Sequence, residues 1–523
     1  MDLARDSSAT PIRLVSFASG FTVLALEIVG ARMVAPAFGG SIYVWAALLT
    51  TTLLSLGVGY AVGGFLSDRF DPRRALEQVV GIAALILLAL PFYKSSVASA
   101  AASLGVRAGA LVTTGLLLGP PLVTLGCVLP LCLGARVRAV DRLGREFGTL
   151  SLWSTAGSVL GTLSTGFYLL QWLSLSEILR ALAGAMVVCL ALVLWSNRRR
   201  PGRPRRASAL AGYAALVAFV PFEPQVASDG AVTIPSLYGE VRVEDDRRSG
   251  HRTLFLDGLP NSRVGLDGRS SESDVVYGLE LVTAMRPKLR RVLFIGLGAG
   301  RGVEVLWNSH GIVSDVVEID PSVVRVAREY FQFESQGAVV VGDGRRFCRS
   351  TSQCYDAVVL DAFSGDSHPY HLLSAEALED YRSCLAPDGV LACNLLTYAS
   401  GERARLRASV AATFRSAFAN LSTFNANPRR DSSGVCNLLF FASDGPLDIA
   451  PETFSDDSGL ASYYRSIVDA LAASPTDLPP GVVLTDDHNP ADLLGAEAFL
   501  DIRRESKPFR VARRRWSIEA VAR

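Results

Sequence analysis

The chain has 523 residues, of which half are hydrophobic, and its 51 basic and 50 acidic residues leave a formal net charge of +1. This length exceeds that of one typical domain, and the balanced charge gives no indication of a nucleic-acid partner. The apolar residues concentrate before about residue 222. The composition therefore excludes a wholly water-soluble protein and predicts a membrane-embedded first part followed by a soluble part.

The first part of the chain contains long apolar segments, most of them near the ~20 residues that a helix needs to cross a bilayer. They lie at residues 12–30, 43–66, 76–92, 108–133, 150–173 and 178–195. A shorter segment at 207–222 could cross the membrane, re-enter it or lie at its surface. We predict a polytopic α-helical membrane domain of six or seven helices over residues 1–222, with the lipid bilayer as its partner.

Glycines recur at four-residue spacing in two of these segments, as Gly59 with Gly63 and Gly157 with Gly161. This spacing lets two helix backbones approach closely, although it also arises by chance on lipid-facing surfaces. Glu27 is the one acid deep inside a predicted crossing, where a charge is costly. It is either a functional group or one half of a structural ion pair with Arg32.

Arginines cluster in the loops at 68–74, 136–145 and 198–206, whereas the loop at 94–107 carries little charge. The positive-inside rule places the three basic loops in the cytoplasm. A full seventh crossing would put the soluble part outside, but the basic residues at 503–515 suit an anionic cytoplasmic leaflet. We therefore predict a multi-pass protein of the inner cell membrane with a cytoplasmic catalytic domain.

The segment at 64–74, GFLSDRFDPRR, resembles the loop after the second helix of major-facilitator transporters, with Asp71 where that pattern has glycine. Six or seven crossings amount to about half of such a transporter. The resemblance implies a transporter-like module and leaves independent transport unsupported.

Beyond residue 222 the hydropathy falls and the pattern becomes that of a soluble α/β fold. Residues 238–245 and 253–257 read as strands joined by the charged turn 246–250, a small β-hairpin unit that we assign to residues 228–285. Strands are then predicted at 292–295, 315–319, 338–341, 357–360, 390–394 and 435–441, and helices at 301–309, 322–331, 374–385 and 402–418. This alternation predicts a doubly wound, Rossmann-like, mainly parallel sheet over 286–500, before a basic tail at 501–523.

The run RVLFIGLGAGRG combines a strand, three alternating glycines (Gly296, Gly298 and Gly300) and the start of a helix. Such glycines allow positive φ and close approach of a ligand, and the helix N-terminus offers unpaired N–H groups. About twenty residues later the next strand ends in Glu318, whose carboxylate can accept both hydroxyls of a ribose. The order of these elements predicts a site for an adenosine-bearing ligand.

Two further acids end predicted strands at the same edge of the sheet. Asp343, followed by Gly344, could accept a hydrogen bond from the exocyclic amine of adenine or cap the next helix, and both roles can hold at once. Asp361 ends the strand YDAVVLD. Beside a cationic sulfonium it could take a proton from an attacking amine, although a turn or capping acid has the same spacing.

The loop that follows Asp361 contains Asp366, His368 and His371. Three candidate ligands on one short loop are weak support for a metal, so we predict no metal and expect these side chains to line a substrate pocket. Tyr370 could supply an aromatic wall for a cationic substrate or pack within the loop.

Several motifs together resemble the spermidine synthase (polyamine aminopropyltransferase) family over roughly residues 237–441. They are Tyr238-Gly, LFLDG, GLGAG, VEID, GDG and YDAVVLDAF. The runs DAFSGDSHPYHLLSAEAL and TDDHNPADLL are similar to the bacterial branch in which this domain follows a transporter-like membrane domain. The resemblance implies an aminopropyltransferase that acts on a small polyamine substrate.

The resemblance also implies residue roles. The glycine loop and Glu318 would hold an S-adenosyl donor as co-substrate, Asp343 with Gly344 would contact adenine, and Asp361 would deprotonate the acceptor amine. We assign substrate binding to four residues: Tyr238, Asn261, Asp366 and Tyr370. Because soluble members of the family are commonly dimers or tetramers, a homo-oligomer is also implied.

Departures from the family pattern concern the donor tail and the acceptor. Ala299 stands where the family has an aspartate for the donor's aminopropyl amine, Asn261 replaces a glutamine, and Ser364 occupies the position of a second acid. An unpaired buried ammonium would be unfavourable by roughly several kcal/mol. The leading hypothesis is aminopropyl transfer from decarboxylated S-adenosylmethionine to a diamine such as putrescine. The alternatives are methyl transfer from intact S-adenosylmethionine to a small molecule, and a non-catalytic domain that senses a polyamine or adenosyl ligand.

Overall fold

A computed structural model of the chain describes residues 9–39, 42–136, 142–197, 231–266, 274–363, 369–426, 434–447, 449 and 478–505. The chain divides into two compact units, Met1–Val226 and Ala227–Arg523.

The first unit is helical throughout its described residues. Its helices are α1 (Ala9–Phe38), α2 (Ile42–Arg69), α3 (Pro72–Ala101), α4 (Gly105–Gly126), α5 (Val128–Arg136), α6 (Leu143–Ser164) and α7 (Leu175–Asn197). A π-helical turn, Thr165–Leu169, extends α6. All the apolar segments predicted between residues 12 and 195 fall on these helices, and the shorter segment 207–222 lies outside the described residues.

Four helical stretches among the described residues are long and apolar enough to cross a membrane: Thr10–Phe38, Ile42–Arg69, Pro72–Arg136 and Leu175–Asn197. The third is 65 residues long and contains two predicted segments, which the short turn Ala102–Leu104 separates. The predicted segment 150–173 forms helix but is not among the four. Its serines, threonines and glutamine lower the mean hydropathy of that helix.

The glycine pairs noted in the sequence are places where helices touch. A Cβ atom at Gly59 would lie 2.5 Å from the carbonyl oxygen of Val123, and one at Gly63 would lie 2.7 Å from Cα of Cys127. Cβ atoms at Gly157 and Gly161 would likewise clash with backbone carbonyls of α1. The close-approach interpretation is therefore the one that the structure supports for both pairs.

A buried polar network joins the ends of α3, α5 and α7. Arg73 donates to Asn197 Oδ1 (3.3 Å) and to the carbonyl oxygen of Ala135 (3.2 Å), and Asn197 Nδ2 donates to Glu77 Oε1 (2.6 Å). Asp71 caps α3 by accepting from the Arg73 amide (3.1 Å). One arginine of the predicted basic loop thus has a structural role in helix packing.

The second unit begins with a four-stranded antiparallel sheet, ordered β1-β2-β3-β4. Its strands are β1 (Val232–Ser236), β2 (Gly239–Asp246), β3 (His251–Leu256) and β4 (Leu259–Gly265). The sequence predicted only the central hairpin, β2 with β3. The outer strands were missed because β1 contains a proline and β4 is largely polar, and neither shows clear alternation.

The second sheet has seven strands in the order β10-β11-β9-β8-β5-β6-β7. They are β5 (Arg291–Ile295), β6 (Val313–Glu318), β7 (Val339–Val341), β8 (Tyr355–Leu360), β9 (Leu385–Tyr398), β10 (Asn420–Asn425) and β11 (Val435–Ser443). Strands β5 to β9 pair in parallel, whereas β11 is antiparallel to both β9 and β10. The predicted α/β fold with a mainly parallel sheet is confirmed, and β10 is an addition to it.

Helices cover both faces of this sheet because its strands are apolar on both sides. Val292 and Phe294 of β5 belong to one buried cluster, and Leu293 and Ile295 belong to the other. The helices are α8 (Asp274–Leu279), α9 (Leu281–Met285), α10 (Arg301–His310), α11 (Pro321–Phe331), α12 (Gly344–Ser350), α13 (Ala375–Cys384), α14 (Arg405–Ala417) and α15 (Ala491–Glu505). Ligands of such sheets bind at the carboxyl ends of the parallel strands.

Helix α15 differs from the expectation at the end of the chain, where a separate basic tail was predicted from residue 501. The helix continues to Glu505, and Arg503 is 1% exposed and donates to the carbonyl oxygen of Asp257 (3.3 Å). Arg503 therefore belongs to the folded unit rather than to a membrane-binding tail. Residues 506–523 lie outside the described residues.

The glycine contacts generate a matched pair of substitutions on α2. Gly59→Ala should destabilise the helical unit by about 1–3 kcal/mol because the added methyl overpacks the contact with α4. Gly57→Ala should be neutral or stabilising by up to about 1 kcal/mol, since nothing lies within 4 Å of its Cβ position. Thermal unfolding in detergent measures both variants. Equal effects would contradict the assigned helix contact.

Candidate functional site

The glycine loop lies between β5 and α10 and has a backbone that requires glycine. Gly296, Gly298 and Gly300 have φ values of +99°, +55° and +80°. A Cβ atom at Gly298 would also lie 2.9 Å from both Asn261 Oδ1 and Ser262 Oγ. Larger residues at these positions would be strained by the backbone and crowded by β4.

Glu318, at the end of β6, is buried and tied to this loop. Its Oε2 accepts from the amide of Leu297 (2.9 Å), and its Oε1 accepts from the amide of Asp320 (2.9 Å). Burial raises the pKa of Glu318, and these amide hydrogen bonds oppose the rise. Each carboxylate oxygen keeps a further lone pair, so the group can still accept hydrogen bonds from a diol.

Asp343 and Gly344 follow β7 at the same edge of the sheet. Asp343 Oδ1 accepts from the amide of Arg346 (2.7 Å) and so caps α12, while its Oδ2 lies 3.1 Å from His371 Nε2. The capping role is therefore present. The Asp343 carboxylate keeps lone pairs that could accept a hydrogen bond from adenine, and this contact stays a prediction.

Asp361 directly follows β8 and adjoins the glycine loop. Its amide donates to the carbonyl oxygen of Ile295 (2.9 Å), and a Cβ atom at Gly296 would clash with the Asp361 carbonyl oxygen. Burial raises the pKa of the Asp361 carboxyl, and a hydrogen bond from Asn394 opposes that rise. A carboxyl group with a raised pKa is a stronger base once it is ionised.

Two asparagines that the sequence analysis missed orient Asp361. Asn394 Nδ2 donates to Asp361 Oδ1 (2.9 Å), and Asn394 Oδ1 accepts from Asn437 Nδ2 (3.0 Å). Asn394 is 3% exposed. Each asparagine interrupts an otherwise apolar strand, LACNLL in β9 and VCNLLFF in β11. A single amide side chain within an apolar strand is the pattern that could have identified them.

The small sheet meets the glycine loop and the acidic turn after β6. Ser262 Oγ accepts from the amide of Ala299 (3.2 Å) and donates to Asn261 Oδ1 (2.9 Å). Ser236 Oγ donates to Asp320 Oδ2 (2.6 Å). Asn261 is thus brought beside the glycine loop, and its role in substrate binding stays a prediction.

The other residues predicted to bind substrate are more exposed or lie outside the described residues. Tyr238 follows β1 and is 46% exposed, and Tyr370 begins a short 3-10 turn and is 52% exposed. Asp366 lies outside the described residues, as do Ser364 and His368. No described contact joins Tyr238 or Tyr370 to Asp361, so their roles stay predictions.

The glycine loop and the carboxylates of Glu318, Asp343 and Asp361 therefore lie at the edge where β5, β6, β7 and β8 end. No group of three or more His, Cys, Asp or Glu residues with metal-binding geometry occurs in the described part of the chain. The expectation of no metal stays a prediction.

Comparison with known proteins bears on the same region. The family described as "Spermine/spermidine synthase domain" matches residues 277–420. Over 162 residues the chain is 36% identical to a polyamine aminopropyltransferase of Vibrio vulnificus, a match covering 29% of this chain and 52% of that protein. It is also 31% identical over 183 residues to an N-terminal histidine N-methyltransferase of Emericella nidulans, covering 33% of this chain and 32% of that protein.

A similar solved structure is the spermidine synthase from Thermotoga maritima, with 19% identity and a TM-score of 0.37, covering 47% of this chain and 85% of that one. The chain spans about half the length of the Vibrio relative and a third of the Emericella one. The family match and the two sequence relatives support a transferase. Residues 277–420, within the second unit, thus match the spermine/spermidine synthase domain, and polyamine aminopropyltransferases are among the proteins similar to this part of the chain.

Proposed function

We propose that the chain is a membrane-bound aminopropyltransferase that moves an aminopropyl group from decarboxylated S-adenosylmethionine to a diamine such as putrescine. The observation that carries this proposal is Asp361, a half-buried acid held by Asn394 beside the glycine loop of the synthase domain. Attack of a nucleophile on a sulfonium at this position needs little covalent catalysis by the protein, because the sulfur is already a good leaving group.

The donor half of the site is the better supported half. The glycine loop follows β5 at the carboxyl edge of the sheet, Glu318 would accept the ribose hydroxyls, and Asp343 with Gly344 would contact adenine. Glu318 is held by the amides of Leu297 and Asp320. A carboxylate fixed in this way needs no rearrangement to bind a diol, which favours binding.

The proposed chemistry is an in-line displacement. The acceptor nitrogen forms a bond to the carbon of the aminopropyl group as the bond from that carbon to sulfur breaks, which releases methylthioadenosine. Asp361 accepts the proton that the attacking nitrogen loses. The Asn437–Asn394 hydrogen-bond chain fixes the orientation of the carboxylate, which supports positioning as a main source of rate enhancement.

The acceptor would be bound by Tyr238, Asn261, Asp366 and Tyr370. Acidic and aromatic side chains suit a diammonium substrate. Asp366 would supply the second acid of the family pattern, because this chain has Ser364 at the position of that acid. A homo-oligomer is part of the proposal by analogy with the family.

Methyl transfer from intact S-adenosylmethionine is the second candidate, and Ala299 favours it. This residue is 1% exposed and its amide donates to Ser262 Oγ, so no acid is available there to pair with an aminopropyl ammonium. The similarity to an N-methyltransferase is consistent with this alternative. A domain that only senses an adenosyl ligand or polyamine is the non-enzymatic alternative.

We also propose that the helical unit lies in the inner membrane and that the synthase domain is cytoplasmic. Large apolar side chains stand on the outside of this unit, including Leu53 (71% exposed), Leu152 (68%) and Trp172 (77%). Apolar surface of this kind is stable against lipid tails rather than water. The arginine-rich loops support the cytoplasmic orientation.

The orientation is tested by reporters fused after Arg523. A cytoplasmic reporter such as a green fluorescent protein should be active. An alkaline phosphatase, which is active only in the periplasm, should be inactive at the same position because the fused end stays in the cytoplasm. Activity of the phosphatase alone would reverse the proposed orientation.

The reaction is tested with the full chain in detergent, putrescine as acceptor, and either decarboxylated or intact S-adenosylmethionine as donor. We expect methylthioadenosine only with the decarboxylated donor. Asp361→Asn should lower turnover about 10²–10⁴-fold because the base is lost, with the donor Kd changed less than about threefold. S-adenosylhomocysteine formed from the intact donor would favour methyl transfer, and absence of binding by both donors would contradict an enzyme.

The pH profile tests the hydrogen bond from Asn394. Asp361 must be ionised to act, so activity is present above its raised pKa and is lost as the pH falls through that pKa. Asn394→Leu removes a donor that stabilises the carboxylate, so the acidic limb should move to higher pH by about one unit. Asn437→Leu, which leaves that donor in place, should move it less. An unmoved limb in Asn394→Leu would show that Asp361 is not the titrating base.

A further inference from the structure

A segment near the end of the chain is tied to the loop that carries Tyr370. We define the strap as residues 484–490, LTDDHNP. Its Asp486 forms a two-pronged ion pair with Arg345, with NH1 to Oδ1 at 2.8 Å and NH2 to Oδ2 at 2.7 Å. Ser374 Oγ donates to the same carboxylate at 2.5 Å, and the Asp486 amide donates to Glu376 Oε2 at 2.9 Å. Paired hydrogen bonds of this kind fix both distance and orientation.

Arg345 carries the link from the strap to the candidate site. It follows Gly344 in the first turn of α12, and its side chain is only 8% exposed. It donates to the carbonyl oxygen of His371 at 3.0 Å and pairs with Asp380 at 2.6 Å. One buried guanidinium therefore holds the strap, helix α13 and the loop 369–373 together.

The loop 369–373 has two further attachments. His371 Nε2 lies 3.1 Å from Oδ2 of Asp343, the acid that we assign to adenine. From the strap, Asn489 Nδ2 donates to the carbonyl oxygen of Tyr370 at 2.8 Å. The strap thus reaches the loop both directly, at Tyr370, and through Arg345, at His371.

We propose that Asp486 is a positioning residue for the transfer reaction. Through Arg345 it holds the loop 369–373 so that His371 meets Asp343 and Tyr370 stands at the acceptor side. This inference rests on the proposed function for its kinetic consequences, but the attachment of the loop can be measured without turnover. Asp486 itself touches neither substrate in this account.

The electrostatics support a permanent attachment. The Arg345 guanidinium and the Ser374 hydroxyl lower the pKa of Asp486 to about 2. The carboxylate is therefore ionised at any pH at which the enzyme would work, and the pair persists across that range. A loop fixed before the substrate arrives loses less entropy on binding, which lowers the acceptor concentration that is needed.

The strap has attachments that do not depend on the carboxylate. The Leu484 amide donates to Thr413 Oγ1 at 2.9 Å, and the Leu484 carbonyl oxygen accepts from the Ala375 amide at 2.8 Å. Asn489 Oδ1 accepts from the Ala491 amide at 3.2 Å, at the start of α15. Substitution of Asp486 should therefore loosen the loop without detaching the strap.

The test uses Asp486→Asn in the full chain, with hydrogen exchange of residues 369–373, donor affinity and steady-state kinetics as readouts. We expect exchange in this loop to be about tenfold faster and the KM for the diamine to rise about tenfold, while kcat and donor affinity change less than about threefold. Asp486→Glu keeps the charge and should recover part of both effects.

Two control variants separate positioning from general loss of charge. Asp487→Asn changes the exposed neighbour, and Asp444→Asn removes a 2.6 Å ion pair with Arg382 elsewhere in the domain. Both should match the wild type in loop exchange and in KM. Effects equal to those of Asp486→Asn would overturn the specific role.

Unchanged loop exchange in Asp486→Asn would overturn the proposal outright. Faster exchange with an unchanged KM would show an attachment that does not position the acceptor, and this also overturns it. If the wild type transfers no aminopropyl group, the proposed function fails by itself. Loop exchange in the presence of methylthioadenosine then decides whether Asp486 holds the loop.

Discussion

The candidate site in the second unit depends on one buried carboxylate and the two amides that hold it. Glu318 accepts from Leu297 in the glycine loop and from Asp320 at the start of α11, so it ties together the segments that follow the paired strands β5 and β6. A buried carboxylate is stable only when it is hydrogen-bonded in this way. The same carboxylate keeps lone pairs that, in the proposed function, accept the ribose hydroxyls.

The rest of the candidate site follows from the parallel sheet. Strands that run in the same direction end at the same edge, and this brings Asp343 and Asp361 to the edge that carries the glycine loop. The antiparallel strand β11 lies beside β9, and it contributes Asn437 to the chain of amides that fixes Asp361. The small sheet supplies Ser262 and Asn261 against the loop. Strand β11 thus helps to orient Asp361, and the small sheet contacts the glycine loop.

Much of this was predictable because it is local in sequence. The glycine loop, the strands of the parallel sheet and the acids that end them are defined by a few adjacent residues. The hydrogen bond between Asn394 and Asn437 was not predictable, because only the register of β9 and β11 brings residues 43 positions apart together. The pair of Arg345 and Asp486 spans 141 positions, and only the folded chain brings the strap beside α12. In the helical unit, glycine spacing indicated contacts but not which helices would meet, since that depends on packing.

The central claim is that the edge of the sheet at the glycine loop binds an adenosine-bearing sulfonium. The most direct measurement is hydrogen exchange of the full chain with and without decarboxylated S-adenosylmethionine. We expect slower exchange in residues 296–300 and around Glu318 and Asp343, with exchange in the helical unit unchanged. Slower exchange only elsewhere, or no change at ligand concentrations up to about the millimolar level that a weak site would need, would contradict it.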